Sequence, residues 1–382
     1  QKIIYINATS QPGGGGVAEI LQSLVPLMQS LKIKASWYTI NPPQKFFRVT
    51  NKIHNGLQGK KVKLTQTEKE FYLIQSKKMA SEIENLDAQL FVINDPQPLL
   101  IPSFSKKAHP AISRIHIDLS SPNPDTWKFI SPYFKSYQKV ILSIHDFING
   151  NLPKEKVIIF PPAIYPLTPK NIPFKKDRAR MILESLGINS SKLTIAQVSR
   201  LDPFKDPVGV IKAFYLAKKN IPDLQLILLA QNLAEDNPYS DEIFKEVQRY
   251  TRGDPDIFLF YDPKKTKYSN EVLVSAVQTA ANVIIQKSLK EGFGLTVTEA
   301  MWKGKAVIAG NVGGIKIQIR NGYNGYLVST VEHCASRIEE LLKNKSLRET
   351  LGQRAKKSVA KNFLIPRLLR DHLKIAGEVV KK

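Results

Sequence analysis

Two glutamates, Glu291 and Glu299, lie eight residues apart in the segment EGFGLTVTE and could together bind a phosphorylated sugar. The segment follows an apolar run at 283–285 and leads into a predicted helix at 295–302. A glycine-containing loop that enters a helix leaves backbone N–H groups unpaired at the positive end of the helix dipole, which favours phosphate. Glu299 follows about one helical turn later, where its carboxylate can accept hydrogen bonds from sugar hydroxyls. A diphosphate joined to a ribose would fit both features.

Two basic side chains, Arg200 and Lys205, follow another apolar run and could supply positive charge. They lie five residues apart in the segment VSRLDPFK, where a forked guanidinium and a compact ammonium could flank a diphosphate. Their chemical use would be to neutralise the charge on a departing nucleoside diphosphate. The alternative is that they are ordinary surface cations of a basic chain.

Four consecutive glycines at 13–16 follow the first predicted strand and open a predicted helix at 17–31. Such a loop lets the backbone approach a phosphate or a sugar closely, at an entropic cost that a plain turn does not require. The spacing is not G-x-G-x-x-G, and no acidic residue about twenty positions later marks a nicotinamide site. The pattern therefore disfavours a dinucleotide, and a turn without function is the alternative.

Further polar residues follow strands of the first half. His116 and Asp118 are two apart in a predicted strand end, which would place them on the same side. A lone histidine is equally consistent with a structural role. Asp95 and Gln97 also follow a strand, and they suit either sugar hydroxyls or an Asx turn. Residues 52–59 are interpreted as a polar loop.

Other chemistries lack their signatures. The sequence contains no H-E-x-x-H, G-x-S-x-G or G-x-x-x-x-G-K-[ST], and its six histidines are dispersed. This argues against a metalloprotease, an α/β-hydrolase and a P-loop NTPase. The single cysteine, Cys334, excludes a disulfide framework and disfavours a thiolate metal site.

Strand-like runs alternate with helical patterns along the whole chain, which is typical of parallel sheets covered on both faces. The runs are at 3–6, 35–40, 90–93, 112–115, 140–143, 194–198, 224–229, 257–260, 283–285, 306–308 and 325–328. The predicted fold class is α/β, with two Rossmann-like, doubly wound domains that face each other across a ligand-binding cleft.

A proline-rich segment at 160–169 carries four prolines in ten residues and is predicted to be the hinge. The first domain is predicted to span residues 1–162 and the second residues 163–363. Helices at 346–377 are expected to break near 362–366, and a final helix at about 364–382 to cross back to the first domain.

The formal charge of +23 could indicate nucleic acid, an anionic membrane or a polyanionic substrate. Lysine pairs occur in every part of the chain, and no nucleic-acid signature accompanies them. A solvated basic surface without a specific nucleic-acid partner is the preferred interpretation. No apolar run reaches eighteen residues and the start does not resemble a signal peptide, so a cytoplasmic enzyme is expected.

Taken together, these residues resemble the retaining glycosyltransferases of family 4, which have the GT-B architecture. Within that family the chain looks most like the trehalose glycosyltransferring synthases. The segments that carry the resemblance are Gly14 to Leu21, His54 to Gly59, Asp95 to Pro98, His116 to Ser120, Val198 to Arg200 and Glu291 to Gly304.

The resemblance implies a reaction in which a nucleoside-diphosphate glucose transfers glucose to the anomeric hydroxyl of free glucose, reversibly and with retention. It implies catalytic roles for His116, Arg200, Lys205 and Glu291. It implies donor binding by Gly15, Gly16, Arg200, Lys205, Glu291, Gly292, Phe293, Gly294, Leu295, Thr296 and Glu299. It implies acceptor binding by Glu19, His54, Gln58, Asp95, Gln97, Arg114 and Asp118.

No metal and no protein-bound cofactor are expected, because cationic side chains and a helix terminus would stabilise the leaving group. No residue is an obvious protein nucleophile, which suits a front-face mechanism in which the leaving phosphate oxygen takes the acceptor proton. The expected partners are the nucleotide sugar and glucose or trehalose. The sequence leaves the formation of a homodimer undecided and does not favour contact with a membrane.

Three alternatives stay open: a trehalose phosphorylase, a family-4 transferase with another sugar or a lipid acceptor, and a non-enzymatic binding protein. Some residues depart from the family pattern. Asn94 stands in place of a histidine, Asn282 in place of an aspartate, and Tyr261 opens an unusual segment. These departures leave the nucleotide base and the acceptor undecided.

Overall fold

The computed structural model describes residues 2–9, 15–149, 152–230 and 240–380. Within these ranges the chain forms two compact units, one of residues 2–162 with 365–380 and the other of residues 163–364. The chain therefore passes from the first unit to the second after Pro162 and returns after Leu364.

The strands are β1 (Lys2–Asn7), β2 (Lys34–Thr39), β3 (Leu90–Asn94), β4 (Ala111–Arg114), β5 (Lys139–Leu142), β6 (Val157–Ile159), β7 (Leu193–Val198), β8 (Leu224–Leu229), β9 (Ile257–Phe260), β10 (Val283–Gln286), β11 (Ala306–Gly310) and β12 (Tyr326–Val328). Every predicted run is found as a strand. The short strand β6 was not predicted, because its three residues directly precede the proline-rich segment.

The helices are α1 (Gly16–Ser30), α2 (Gln44–Leu57), α3 (Gln66–Glu82), α4 (Ile101–Phe104), α5 (Pro124–Ile130), α6 (Lys176–Glu184), α7 (Pro207–Lys218), α8 (Ser240–Thr251), α9 (Asn270–Ala280), α10 (Leu295–Trp302), α11 (Val331–Lys343), α12 (Lys345–Asn362) and α13 (Ile365–Val380). None of them, within the described ranges, is long and apolar enough to cross a bilayer.

The described part of the first unit contains a six-stranded parallel sheet in the order β2-β1-β3-β4-β5-β6. All residues of β3 and β4 are buried, as expected for central strands covered on both faces. The order reverses between β1 and β3. In open α/β sheets, ligands bind beyond the carboxyl ends of the strands at such a reversal.

The second unit also contains a six-stranded parallel sheet, in the order β12-β11-β10-β7-β8-β9. Successive residues of β7 point to opposite faces, so Ile195 and Ala196 belong to different apolar clusters. Here the strand order reverses between β7 and β10. The loops that follow these two strands therefore occupy the usual ligand-binding edge.

The chain returns to the first unit through a short break between α12 and α13. Pro366 is the second residue of α13. Proline is tolerated there because the first N–H groups of a helix have no partner within the helix, so the N–H that proline lacks is not missed. From α13 the Arg367 guanidinium donates to the carbonyl oxygens of Pro161 at 2.7 Å and Pro162 at 2.8 Å. The helix is thereby fixed to the end of the segment that leaves the first unit.

Candidate active site

The loop between β10 and α10 holds the predicted donor segment. Gly294 ends this loop with φ +88°, a left-handed conformation that favours glycine. Because Gly294 has no side chain, no side-chain cap covers the first N–H groups of α10. Gly292 and Phe293 precede this position, and Leu295 and Thr296 open the helix. The positive end of the helix dipole thus lies beside the glycine loop.

Lys205 and Glu291 form an ion pair at the reversal of the second sheet. Lys205 Nζ lies 2.5 Å from Glu291 Oε2, and the two side chains are 19% and 10% exposed. Ser288 Oγ donates to the same carboxylate oxygen at 3.3 Å. Lys205 follows β7 and Glu291 follows β10, which are neighbouring strands. Two residues far apart in sequence are therefore brought together at the predicted ligand edge.

Arg200 lies in the same loop as Lys205, two residues after β7 ends, and its side chain is exposed. A guanidinium in this position can meet an anion arriving from solvent. Its contact with a diphosphate stays a prediction.

Glu299 is more enclosed than the sequence suggested. Its side chain is 1% exposed, and its Oε1 lies 2.6 Å from Nζ of Lys170, which is itself 12% exposed. The ion pair joins α10 to the residue that directly follows the proline-rich segment. The sequence predicted a carboxylate that faces ribose hydroxyls, and the structure adds a basic partner that the sequence did not reveal.

In the first unit, Asp95 stands where β3 ends, beside the strand-order reversal. Its φ is +60°, and its Oδ1 accepts a hydrogen bond from the backbone N–H of His116 at 2.7 Å. Burial raises the pKa of Asp95 to about 7, although the His116 N–H and the charge of Arg114 oppose the rise. The carboxylate thus bridges two loops rather than closing an Asx turn.

His116 is oriented by Asn94. The Asn94 amide nitrogen donates to the Ile6 carbonyl oxygen at 3.1 Å, so Asn94 Oδ1 is the atom that lies 3.1 Å from His116 Nε2. Because Oδ1 can only accept, Nε2 carries the proton and Nδ1 is an acceptor. Desolvation, aided by the charge of Arg114, lowers the pKa of His116 well below its ordinary value. His116 is therefore a neutral imidazole at neutral pH.

Arg114 lies deeper than an acceptor-binding residue would be expected to lie. It is 2% exposed, and its Nη1 donates to the Phe160 carbonyl oxygen at 2.8 Å. Burial lowers its pKa to about 9. Arg114 lines a small cavity together with Asn94, His116, His372 and apolar residues of α1.

Two details of the sequence interpretation are wrong. Residues 52–59 are not a loop, because α2 continues to Leu57 and buries Ile53 and Leu57 at helical spacing. His54 lies in the last turn of this helix, and Gln58 is its buried C-cap residue. His116 and Asp118 are not on a strand, because β4 ends at Arg114.

The remaining predicted residues take separate positions. Asp118 accepts a hydrogen bond from the backbone N–H of Ser120 at 2.8 Å. Glu19 lies in the first turn of α1, and Gln97 is half-buried in the turn after β3. Gly15 precedes α1 with φ +106°, and Gly16 is the first residue of that helix. Residues 10–14, which include Gly13 and Gly14 of the predicted glycine loop, lie outside the described residues.

Comparisons with known proteins agree over both units. Residues 5–149 match the family model described as trehalose synthase, N-terminal domain, and residues 180–358 match glycosyl transferases group 1. A trehalose synthase from Pyrococcus horikoshii is 39% identical over 99% of this chain and 90% of its own length. The chain belongs to the trehalose synthase family. The predicted family resemblance is confirmed, and the protein is a GT-B glycosyltransferase.

More distant relatives fit this assignment. A trehalose phosphorylase from Pleurotus pulmonarius is 28% identical over 84% of this chain but only 49% of its own length. A solved trehalose-6-phosphate synthase, OtsA, superposes with a TM-score of 0.80 over 99% of both chains at 12% identity. At that identity the superposition shows the fold alone. The trehalose synthase relatives therefore carry the assignment.

In this member of the trehalose synthase family, the predicted donor loop is held by residues that the sequence pattern did not reveal. Gln318 is 1% exposed, and its Nε2 donates to the Phe293 carbonyl oxygen at 2.6 Å. Its Oε1 accepts from Thr298 Oγ1 at 2.7 Å, so one side chain connects the loop to α10. A lone glutamine after a glycine-rich turn carries no recognisable signal in the sequence.

The glycines after β11 form the other support. A Cβ added at Gly313 would lie 1.7 Å from the Glu291 carbonyl oxygen, and one added at Gly314 would lie 2.5 Å from the Phe293 Cα. Gly313 also has φ +44°. The backbone after β11 therefore packs directly on the predicted donor loop. The adjacent glycines Gly313 and Gly314 are the feature of the sequence that could reveal this close approach.

A third set of contacts fixes the Lys205 loop. Gln197 Nε2 donates to the Lys205 carbonyl oxygen at 2.8 Å, and the Leu289 N–H donates to the Phe204 carbonyl oxygen at 2.8 Å. Lys287, buried beneath the loop, pairs with Asp206. These contacts hold in place the loop that carries Lys205. Among the described residues, no group of three or more His, Cys, Asp or Glu could hold a metal ion.

Proposed function

We propose that the protein transfers glucose from a nucleoside-diphosphate glucose to the anomeric hydroxyl of free glucose and forms α,α-trehalose. The observation that carries the proposal is the Lys205–Glu291 pair beside the uncapped start of α10. It occurs in a chain of the trehalose synthase family. An ammonium and a helix N-terminus are the groups that stabilise charge developing on a departing diphosphate.

In the proposed reaction the bond between C1 of the donor glucose and the β-phosphate oxygen breaks, and the nucleoside diphosphate leaves with the electron pair. The anomeric oxygen of the acceptor attacks C1 from the same face, so the configuration is retained. Its proton passes to the leaving phosphate oxygen. The protein contributes position and electrostatic stabilisation, which is the demand that such a step makes.

Lys205 is assigned to the diphosphate, with Arg200 as a second cation from the same loop. When the donor is absent, Glu291 compensates the charge of Lys205. A neutral His116 is assigned to a donor-sugar hydroxyl, since its free Nδ1 lone pair can accept a hydrogen bond. Glu291 and the N–H groups at 293–296 are assigned to the donor sugar and phosphates. Acceptor binding is assigned to the first-unit residues predicted from the family.

The test is to measure nucleoside diphosphate released from UDP-glucose and ADP-glucose, with and without glucose. We expect glucose-dependent release and accumulation of a non-reducing disaccharide. Lys205→Ala should lower kcat by about a hundredfold, the usual size of losing one stabilising group at a leaving oxyanion. Lys219→Ala is the matched control. Lys219 is exposed at the far end of α7, about 18 Å along the helix axis from Pro207, where the helix begins just after Lys205.

Two results would contradict the proposal. One is undiminished turnover in the Lys205→Ala variant, which would remove the diphosphate role. The other is disaccharide formed only from glucose 1-phosphate with release of phosphate, the reaction expected of a phosphorylase. Glucose 6-phosphate should be tested as a parallel acceptor, and the proposal expects free glucose to be preferred.

A further inference from the structure

The carboxylate of Glu299 is buried with fewer partners than a carboxylate needs. Apart from the ion pair with Lys170, neither of its oxygens accepts a hydrogen bond within the described residues. An ionised carboxylate offers about four acceptor sites, and leaving them empty in the interior is costly. The arrangement calls for additional donors that arrive with a ligand.

Lys170 lies in a turn whose backbone is held by hydrogen bonds. The Asn171 N–H donates to the Thr168 carbonyl oxygen at 2.9 Å, and the buried Asn171 amide donates to the Tyr165 carbonyl oxygen at 3.0 Å. Just beyond the turn, Ser275 Oγ donates to the Ile172 carbonyl oxygen at 2.8 Å. The backbone that carries Lys170 is therefore anchored to its own turn and to α9.

A second lysine near Glu299 provides a comparison. Lys303 follows one turn later, as the C-cap residue of α10, but its Nζ donates to Gln278 Oε1 at 2.8 Å. Burial lowers the pKa of Lys303 to about 8, with Glu299 opposing and Lys170 assisting the decrease. The charge of Glu299 thus affects the pKa of Lys303, but the Lys303 ammonium donates its hydrogen bond to Gln278 and not to Glu299. Lys170 is the lysine in direct ionic contact with the carboxylate.

We propose that Lys170 is a positioning residue that fixes the Glu299 carboxylate for the ribose hydroxyls of the nucleoside diphosphate. The ammonium fixes Oε1, and this leaves Oε2 and the remaining lone pairs to accept from the ribose diol. This inference rests on the proposed function for the identity of the ligand. Recognition of ribose then depends on the residue that directly follows the proline-rich segment as well as on the E-x7-E motif.

The test compares the affinity for a nucleoside diphosphate with that for its 2′,3′-dideoxy analogue by isothermal titration calorimetry, using whichever of UDP and ADP binds more tightly. A hydrogen bond to a charged group is worth about 1.5–3 kcal/mol, so the wild type should prefer the ribose form by about 10- to 150-fold. Lys170→Met should reduce this ratio towards one. The Lys170→Arg variant should retain much of the wild-type preference for the ribose form.

Two further variants separate positioning from general effects. Lys303→Met should leave the ratio near the wild-type value, because it removes a neighbouring charge without removing the contact. In the Glu299→Gln background, Lys170→Met should cause no additional loss, since both changes act through one carboxylate. Thermal unfolding with and without nucleotide identifies any variant that fails to fold.

The outcomes are distinguishable from failure of the proposed reaction. A purely structural Lys170 would lower the melting temperature in the Met variant and leave the ribose ratio unchanged, which would overturn the inference. Equal loss in the Lys170 and Lys303 variants would overturn it as well. If nucleotides bind with a Lys170-dependent ratio but no disaccharide forms, the inference stands and the proposed reaction fails. If no nucleoside diphosphate binds, both fail.

Discussion

Replacement of Gly313 by alanine should both destabilise the second unit and weaken the proposed binding of the nucleotide. The new Cβ would lie 1.7 Å from the Glu291 carbonyl oxygen, far inside any contact that real Cβ atoms make, so one of the two backbones must move. Gly313 also has φ +44°, a conformation that costs an alanine about 1–2 kcal/mol. Relief of the crowding should cost about 1–3 kcal/mol more.

A small effect on the unfolded chain opposes this loss of stability. Alanine restricts the unfolded chain and returns about 0.4–1 kcal/mol. The net expected loss for Gly313→Ala is therefore about 1–5 kcal/mol in the free energy of unfolding, combining the three contributions. The movement of Glu291 should also weaken nucleotide binding, because this residue pairs with Lys205.

Gly322→Ala is the matched control. Gly322 has φ +74°, but a Cβ added there meets nothing within 4 Å. The free energy of unfolding of the Gly322→Ala variant should therefore fall only by the conformational contribution, about 0–2 kcal/mol, and its affinity for the nucleotide should be unchanged. Urea unfolding at constant pH gives the stabilities, and calorimetric titration gives the affinities. Equal destabilisation by the two variants would refute the packing of Gly313 on the donor loop.

Three further predictions concern buried titratable groups. The pKa of Asp95 is raised to about 7 by burial, so the folded protein holds a proton that the unfolded chain releases near pH 4. Stability from this group should therefore fall as pH rises from about 4 to about 7, and Asp95→Asn should remove that part of the slope. His372, buried so that its pKa is lowered to about 3, has the opposite sign, and His372→Asn should remove a rise in stability between about pH 3 and 6.5. Thermal unfolding across pH 3–8 checks both, and unchanged slopes in the variants would contradict them. Cys334 is fully buried and burial raises its pKa to about 12, so iodoacetamide should modify it only after unfolding. Rapid labelling of the native protein, followed by mass spectrometry, would contradict this burial.

Much of the architecture was predictable because parallel strands leave a strong pattern. The runs that became β3 and β8 are mostly apolar and wholly buried, and helices separate the strands along the chain. The start of α10 was predictable from the glycines that precede it. Burial on both faces makes such strands visible in the sequence, whereas the short β6 has too few residues to show a period.

The contacts that position the site were less predictable, because they depend on how close loops approach. Lys170 lies far from Glu299 in sequence, and nothing local marks it as the partner of that carboxylate. Gln318 has the same character. Residues 52–59 were misassigned because their polar composition hid apolar positions that continue the helical spacing from Phe46 and Val49. In that case, tertiary burial decided the structure against local composition.

The most direct test of the account is the structure of the product formed from a nucleoside-diphosphate glucose and ¹³C1-labelled glucose. Proton and carbon NMR should show a non-reducing disaccharide with both anomeric centres in the α configuration, and one nucleoside diphosphate released for each molecule formed. A reducing product, a β-anomeric centre derived from the donor, or transfer that requires glucose 1-phosphate in place of the nucleotide sugar would contradict the central claim.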